Sequence, residues 1–154
     1  MSLKFKKMHT ISYIDKNVVQ YRQRLILGSY CIIVKNSFNL YKAQLIQYKA
    51  IITKILKNAN KIIDQKNKGC FYKNNEFIRY RLKTSAFPYN NETGKSQGSR
   101  MGKGKGAVLD SFFPVKAGFS LFELINVESN IAMDCFLMLK AKMPVAILLK
   151  KIVY

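Results

Sequence analysis

Arg100, Lys103 and Lys105 lie in the run Ser99-Arg100-Met101-Gly102-Lys103-Gly104-Lys105-Gly106, where glycine alternates with cation over residues 102–106. Glycine lets the main chain approach another surface closely and take conformations that a β-carbon forbids. Lysine offers a phosphate a mobile point charge, and arginine offers it a planar fork of donors. Such spacing suits the binding of a polyanion in a narrow crevice. Solvated linkers and nucleic-acid tails also carry Gly-Lys repeats, so the rest of the chain must decide.

The charge is unevenly distributed. The net charge is +19, and residues 1–106 hold 22 of the 27 Lys and Arg against Asp15, Asp64, Glu76 and Glu92. Residues 107–154 hold five cations against Asp110, Glu123, Glu128 and Asp134. The first two-thirds therefore repel themselves unless a polyanion neutralises them, and neutralised phosphates release counterions that drive binding without regard to sequence. Nucleic acid is the partner this excess implies. An anionic membrane surface could accept the same charge, but no uncharged apolar run approaches the ~18 residues of a spanning helix, and membrane insertion is not expected.

Catalytic constellations are missing from the pattern. His9 is the only histidine, so it cannot anchor a histidine-based metal site; no spacing argues for a Ser/His/Asp arrangement, and no enzyme activity or cofactor is expected. Cys31, Cys70 and Cys135 are odd in number and widely spaced, which fits buried or free thiols in a reducing compartment better than metal binding, although two of them could pair. Gly94-Lys95-Ser96 matches the end of a phosphate-binding loop of the form G-x-x-x-x-G-K-[ST]. The first glycine of that motif falls on Tyr89, and Ala86-Phe87-Pro88 does not read as the buried strand the motif must follow.

The elements that must position these residues fit one domain over residues 1–154, with 49% hydrophobic content sufficient for a core. Residues 1–24 read as a basic arm and 25–34 as a strand. Residues 40–63 read as a helix, with Tyr41, Leu45, Tyr48, Ile52, Ile55, Leu56, Ala59 and Ile63 on an apolar stripe and Lys42, Lys49, Lys54, Lys57 and Lys61 mostly off it. Residues 64–76 read as a loop. Residues 77–82 read as a strand, with Ile78, Tyr80 and Leu82 on one face and Arg79 and Arg81 on the other. Residues 84–106 read as a long Gly-, Ser- and Asn-rich loop, of the kind that is usually functional or disordered. Strands over 108–115 and 119–125 turn at Ala117-Gly118, Asn126 caps a helix over 128–142 ended by Pro144, and 145–154 is a last strand. The expected class is α+β, a single-domain sandwich of antiparallel strands with two main helices and a long basic Gly/Lys loop.

Together these blocks resemble the universal L-sixteen family of large-subunit ribosomal proteins. Phe5-Lys6-Lys7-Met8-His9 is similar to its F-[RK]-K-M-H, Leu27-Gly28-Ser29-Tyr30 to its F-G-S-F, and Ala43-Gln44-Leu45 to the R-Q-I of its first helix. Residues 100–106 match its R-M-G-K-G-K-G residue for residue. Gly118, Leu121-Phe122-Glu123 and Lys142-Met143-Pro144-Val145 follow its P-G-x-x-L-[YF]-E and K-L-P-I. The chain departs from the family where Thr10-Ile11-Ser12-Tyr13-Ile14 replaces a Gly/Arg-rich stretch and Asn36-Ser37-Phe38-Asn39 replaces G-R-G-R, which removes expected phosphate contacts there. Extra residues near 60–75 and 81–86 look like insertions.

The resemblance implies a structural protein of the large ribosomal subunit that binds large-subunit rRNA, touches neighbouring ribosomal proteins and helps position tRNA near the A site. The implied RNA-binding residues are Lys4, Lys6, Lys7, His9, Lys35, Arg79, Arg100, Met101, Gly102, Lys103, Gly104, Lys105 and Gly106. Lysine outnumbers arginine 22 to 5, and the chain is rich in Asn, Ile, Tyr and Phe, residues of AT-rich codons. With the likeness beginning at Phe5, this composition points to a gene translated inside an organelle, the mitochondrion ahead of a plastid or an AT-rich bacterium. A non-ribosomal RNA-binding protein, such as an RNA chaperone or splicing accessory, is the alternative that the charge alone would support.

Overall fold

Short β-branched runs and one long amphipathic stretch set the architecture. The computed structural model describes residues 29–67, 79–98, 102, 104 and 106–151. Along them run β1 (Tyr30–Val34), β2 (Phe38–Tyr41), α1 (Lys42–Asn67), β3 (Arg81–Thr84), β4 (Asn90–Gly94), β5 (Ala107–Val115), β6 (Ser120–Ile125), α2 (Ser129–Lys140) and β7 (Ile147–Lys151). The strands form two antiparallel sheets, one ordered β3-β6-β1-β7 and the other β2-β5-β4. Two helices with antiparallel sheets make this the expected α+β class. The arm over 1–24, residues 25–28 and Cys70 lie outside the described residues.

β6 carries the core. Leu121, Phe122 and Leu124 are fully buried, joined by Ile32 and Val34 of β1, Leu40 of β2, Val115 of β5 and Ile147 of β7. α1 adds Leu45, Tyr48, Ile52 and Leu56, the expected stripe, and α2 adds Ala132, Cys135 and Leu139. Burial pushes the Cys135 thiol up to about 11, with nearby Asp134 adding to it, and burial likewise raises Cys31; both thiols are free. Glu123 is a buried carboxylate inside this apolar strand. Lys83, directly opposite on β3, pairs with it at 3.6 Å, which offsets part of the cost of its desolvation.

Several boundaries differ from the sequence reading, each for a local reason. Leu40 and Tyr41 are not helical: they pair with Phe113 and Phe112 in β2. The helix starts at Lys42, where the Gln44 side chain accepts the Tyr41 backbone N–H at 3.2 Å, half of a capping box. It runs on to Asn67, so residues 64–67 are not loop. Of the strand expected over 77–82, residues 77–78 lie outside the described residues; β3 begins at Arg81, because the Asn60 amide accepts the Tyr80 N–H (3.0 Å) and donates to the Tyr80 carbonyl (3.2 Å). Those bonds occupy the backbone groups a ladder would use. Tyr80 still points inward while Arg79 and Arg81 stay exposed, so the alternation holds.

Asn126 is not a cap. It takes a left-handed φ of 58° that turns the chain out of β6, and Glu128 occupies the cap position with no side-chain cap bond. The Glu128 carboxylate accepts the Tyr80 hydroxyl at 3.1 Å instead. The turn at Ala117-Gly118 is present, with Gly118 at φ 83° and its N–H on the Val34 carbonyl at 2.7 Å. It does not join a hairpin, since β5 and β6 belong to different sheets.

Candidate nucleic-acid interface

The loop expected over 84–106 is in part strand, since Thr84 ends β3 and Asn90–Gly94 form β4, and of the glycine-lysine run only Gly102, Gly104 and Gly106 are among the described residues. β4 pairs with β5 from Asn90↔Phe112 to Gly94↔Ala107, so residues 95–106 close the end of a two-stranded arm. β4 reads Asn-Asn-Glu-Thr-Gly, without apolar alternation, and is a strand because β5 offers it a ladder. β2 pairs only with the far half of β5, Phe112 to Val115. Ala107, Val108 and Leu109 are accordingly exposed and Val115 is buried, so β5 runs from the core out to the loop.

The glycines fall into two kinds. A β-carbon on Gly106 would collide with the Gly94 carbonyl oxygen, so the closing of the ribbon requires glycine there. Around Gly102 and Gly104 nothing lies within 4 Å of the place a β-carbon would take. The fold does not ask for glycine at either position. At the loop's base the Lys95 ammonium donates to the Gly102 carbonyl oxygen. Gly94 ends a strand and residues 95–98 are not helical, so the strand–loop–helix of a phosphate-binding loop is not formed at Gly94-Lys95-Ser96.

On the ribbon's stem Glu92 and Asp110 face each other across the strands, two like charges directly opposed. The Tyr41 side chain hydrogen-bonds Glu92, which holds its hydroxyl above the ordinary tyrosine range. The stem is thus acidic and the tip basic in sequence.

Of the expected RNA-binding residues, Lys4, Lys6, Lys7, His9, Arg100, Met101, Lys103 and Lys105 lie outside the described residues. Lys35 and Arg79 are both exposed but are not brought together: Lys35 follows the end of β1, and Arg79 precedes β3, which runs in the same direction. Lys35 also adjoins the turn after β5, a strand length of roughly 30 Å from the loop. The expected list omits one exposed row, Lys54, Lys57 and Lys61, which share a face of α1 and are all exposed. Their spacing at positions i, i+3 and i+7 carries that signal.

Among the described residues no three His, Cys, Asp or Glu gather into a metal site, and no helix is long and apolar enough to cross a membrane. A protein called large ribosomal subunit protein uL16 from Streptococcus thermophilus is 41% identical over 59 residues, which is 38% of this chain and 43% of that protein. Its namesake from Streptococcus suis is 41% identical over 61 residues, 40% of this chain and 44% of its own length, and that from Enterococcus faecalis is 41% identical over 59, with 38% and 41% covered. The chain therefore aligns with less than half the length of these curated relatives. The family model described as ribosomal protein L16p/L10e matches much further, over residues 2–149, and that breadth shows that the chain belongs to this family.

Proposed function

We propose that this protein is a structural constituent of the large ribosomal subunit, bound to large-subunit rRNA and contacting tRNA near the A site through residues 100–106. One observation carries the reading: Gly102 and Gly104 are glycine in a place where the fold leaves open space. Glycine there lets a partner come against the main chain, and the partner that alternating Lys103 and Lys105 select is a phosphate backbone. The loop's cations bind phosphates as point charges, and Arg100 adds a bidentate contact. Lys4, Lys6, Lys7 and His9 fix the arm on rRNA, and Lys35, Arg79 and the α1 lysines hold other parts of the surface to it. The role is non-enzymatic. Lysine-rich, AT-codon composition supports a mitochondrial large subunit as its place.

Sedimentation of an organellar lysate through a gradient, with detection by mass spectrometry and washes of rising salt, tests this. Stoichiometric presence in the large subunit through moderate salt is expected. Recovery on scattered RNAs, lost at low salt, would replace the reading with a general RNA-binding protein. Lys103→Ala with Lys105→Ala leaves the protein in the particle and lowers the particle's translation rate; loss of the protein from the particle would assign the loop to anchoring instead.

A further inference from the structure

α2 is apolar on both sides. Ala132, Cys135 and Leu139 face the core, with Ile131 and Phe136 packed against it, and these satisfy the helix's need for burial. The opposite side presents Met133 at 48% exposure, Leu137 at 53% and Met138 at 57%. Positions 133, 134, 137 and 138 are neighbours at i, i+1, i+4 and i+5, so three large apolar side chains surround the exposed carboxylate of Asp134. Core packing does not account for them.

The charge of this patch separates it from the rest of the chain. α1 shows solvent Lys54, Lys57 and Lys61, whereas the α2 patch meets one cation at its edge, Lys140 of the last turn at i+3 from Leu137. Phosphates gain nothing from three apolar side chains and are repelled by Asp134. A second copy would set Asp134 near its own like and bring together two chains of net charge +19. No ion pair among the described residues engages Asp134. A carboxylate ringed by methionine and leucine is matched by a surface with apolar anchors around one Lys or Arg.

We propose that the outer face of α2, Met133, Leu137 and Met138 around Asp134, docks a different protein of the same particle, one that presents a Lys or Arg among apolar side chains. This partner inserts apolar side chains between the two methionines and Leu137 and places a Lys or Arg on Asp134. The inference rests on the ribosomal reading and adds to it a division of labour, with RNA on the α1 side and protein on α2.

The test places a benzophenone-bearing amino acid at position 137, and separately at position 57 of α1, in protein assembled into particles. Position 137 is expected to crosslink to one protein segment containing apolar residues and a Lys or Arg, and position 57 to RNA. Met133→Glu with Leu137→Glu then lowers that protein's retention in salt-washed particles by about tenfold or more, with this chain still present. Leu137→Ser gives a smaller loss by the same route. Asp134→Lys also weakens retention, and reversing the crosslinked cation restores it. Crosslinks from position 137 to RNA or to a second copy, or none while position 57 reacts, would overturn the docking surface and leave the ribosomal reading intact. Absence of the chain from the large subunit would overturn both.

Discussion

The two sheets are built on opposite terms. In β3-β6-β1-β7 the central strand β6 has five consecutive buried residues, and even a carboxylate is enclosed. In β2-β5-β4 burial survives only where β2 flanks β5, and beyond it the β4–β5 ribbon has polar residues, facing carboxylates and exposed Leu109. The first sheet holds the molecule together, and the second carries a segment away from it. Residues on a ribbon of this kind can be exchanged without touching the core.

That contrast can be broken by substitution. Leu124→Ala in β6 is expected to cost about 2–5 kcal/mol in urea unfolding, while Leu109→Ala on the ribbon stays within about 0.5 kcal/mol. Equal losses would show the ribbon to be part of the cooperative core. Gly106→Ala forces its methyl group onto the Gly94 carbonyl and should cost about 1–3 kcal/mol, with faster amide exchange at Gly94 and Ala107. Gly104→Ala, with open space around it, leaves stability and exchange unchanged and so serves as the control.

A comparable effect is expected outside both sheets. Asn60→Leu strips the Tyr80 backbone of both its amide partners, and a loss of about 1–3 kcal/mol should appear in the thermal midpoint. Glu92→Gln relieves the opposition to Asp110 and keeps an acceptor for Tyr41, so the ribbon should gain about 0.2–1 kcal/mol at low salt. A gain that persists at high salt would point away from charge as its cause.

A further effect is confined to alkaline pH. Cys135 titrates near 9.0 in the unfolded chain and near 11 when folded, so unfolding releases its proton more readily. Its contribution is whole below pH 9 and fades as pH climbs towards 11. Cys135→Ala should flatten the first part of that decline, and the native thiol should resist alkylation at pH 8.

Periodicity made the core legible. The α1 stripe and the alternation from Tyr80 to Leu82 could be read because burial imposes a spacing on apolar residues. β4 was illegible for the converse reason: Asn90–Gly94 has no apolar period and owes its strand form to β5. Sheet membership was equally hidden, since the turn at Gly118 looks the same whether it joins a hairpin or switches sheets. Asn126 misled because asparagine is favoured both at helix caps and in the left-handed conformation it takes here. At the candidate site the sequence showed which residue types were present. It did not separate Gly106, required by the ribbon, from Gly102 and Gly104, nor show that Lys35 and Arg79 lie apart.

The pairing of β1 sets a schedule for synthesis. Tyr30 lies between Leu124 on one side and Lys151 on the other, so the strand Tyr-Cys-Ile-Ile-Val is made long before either neighbour exists. At roughly 5–20 residues per second, it stays unpaired for several seconds or more, an apolar edge on a nascent chain whose early part is strongly cationic. The four-stranded sheet closes only after β7 has left the ribosome making it. Completion of this sheet therefore waits on β7, and the folding yield should depend on what shields β1 during the wait.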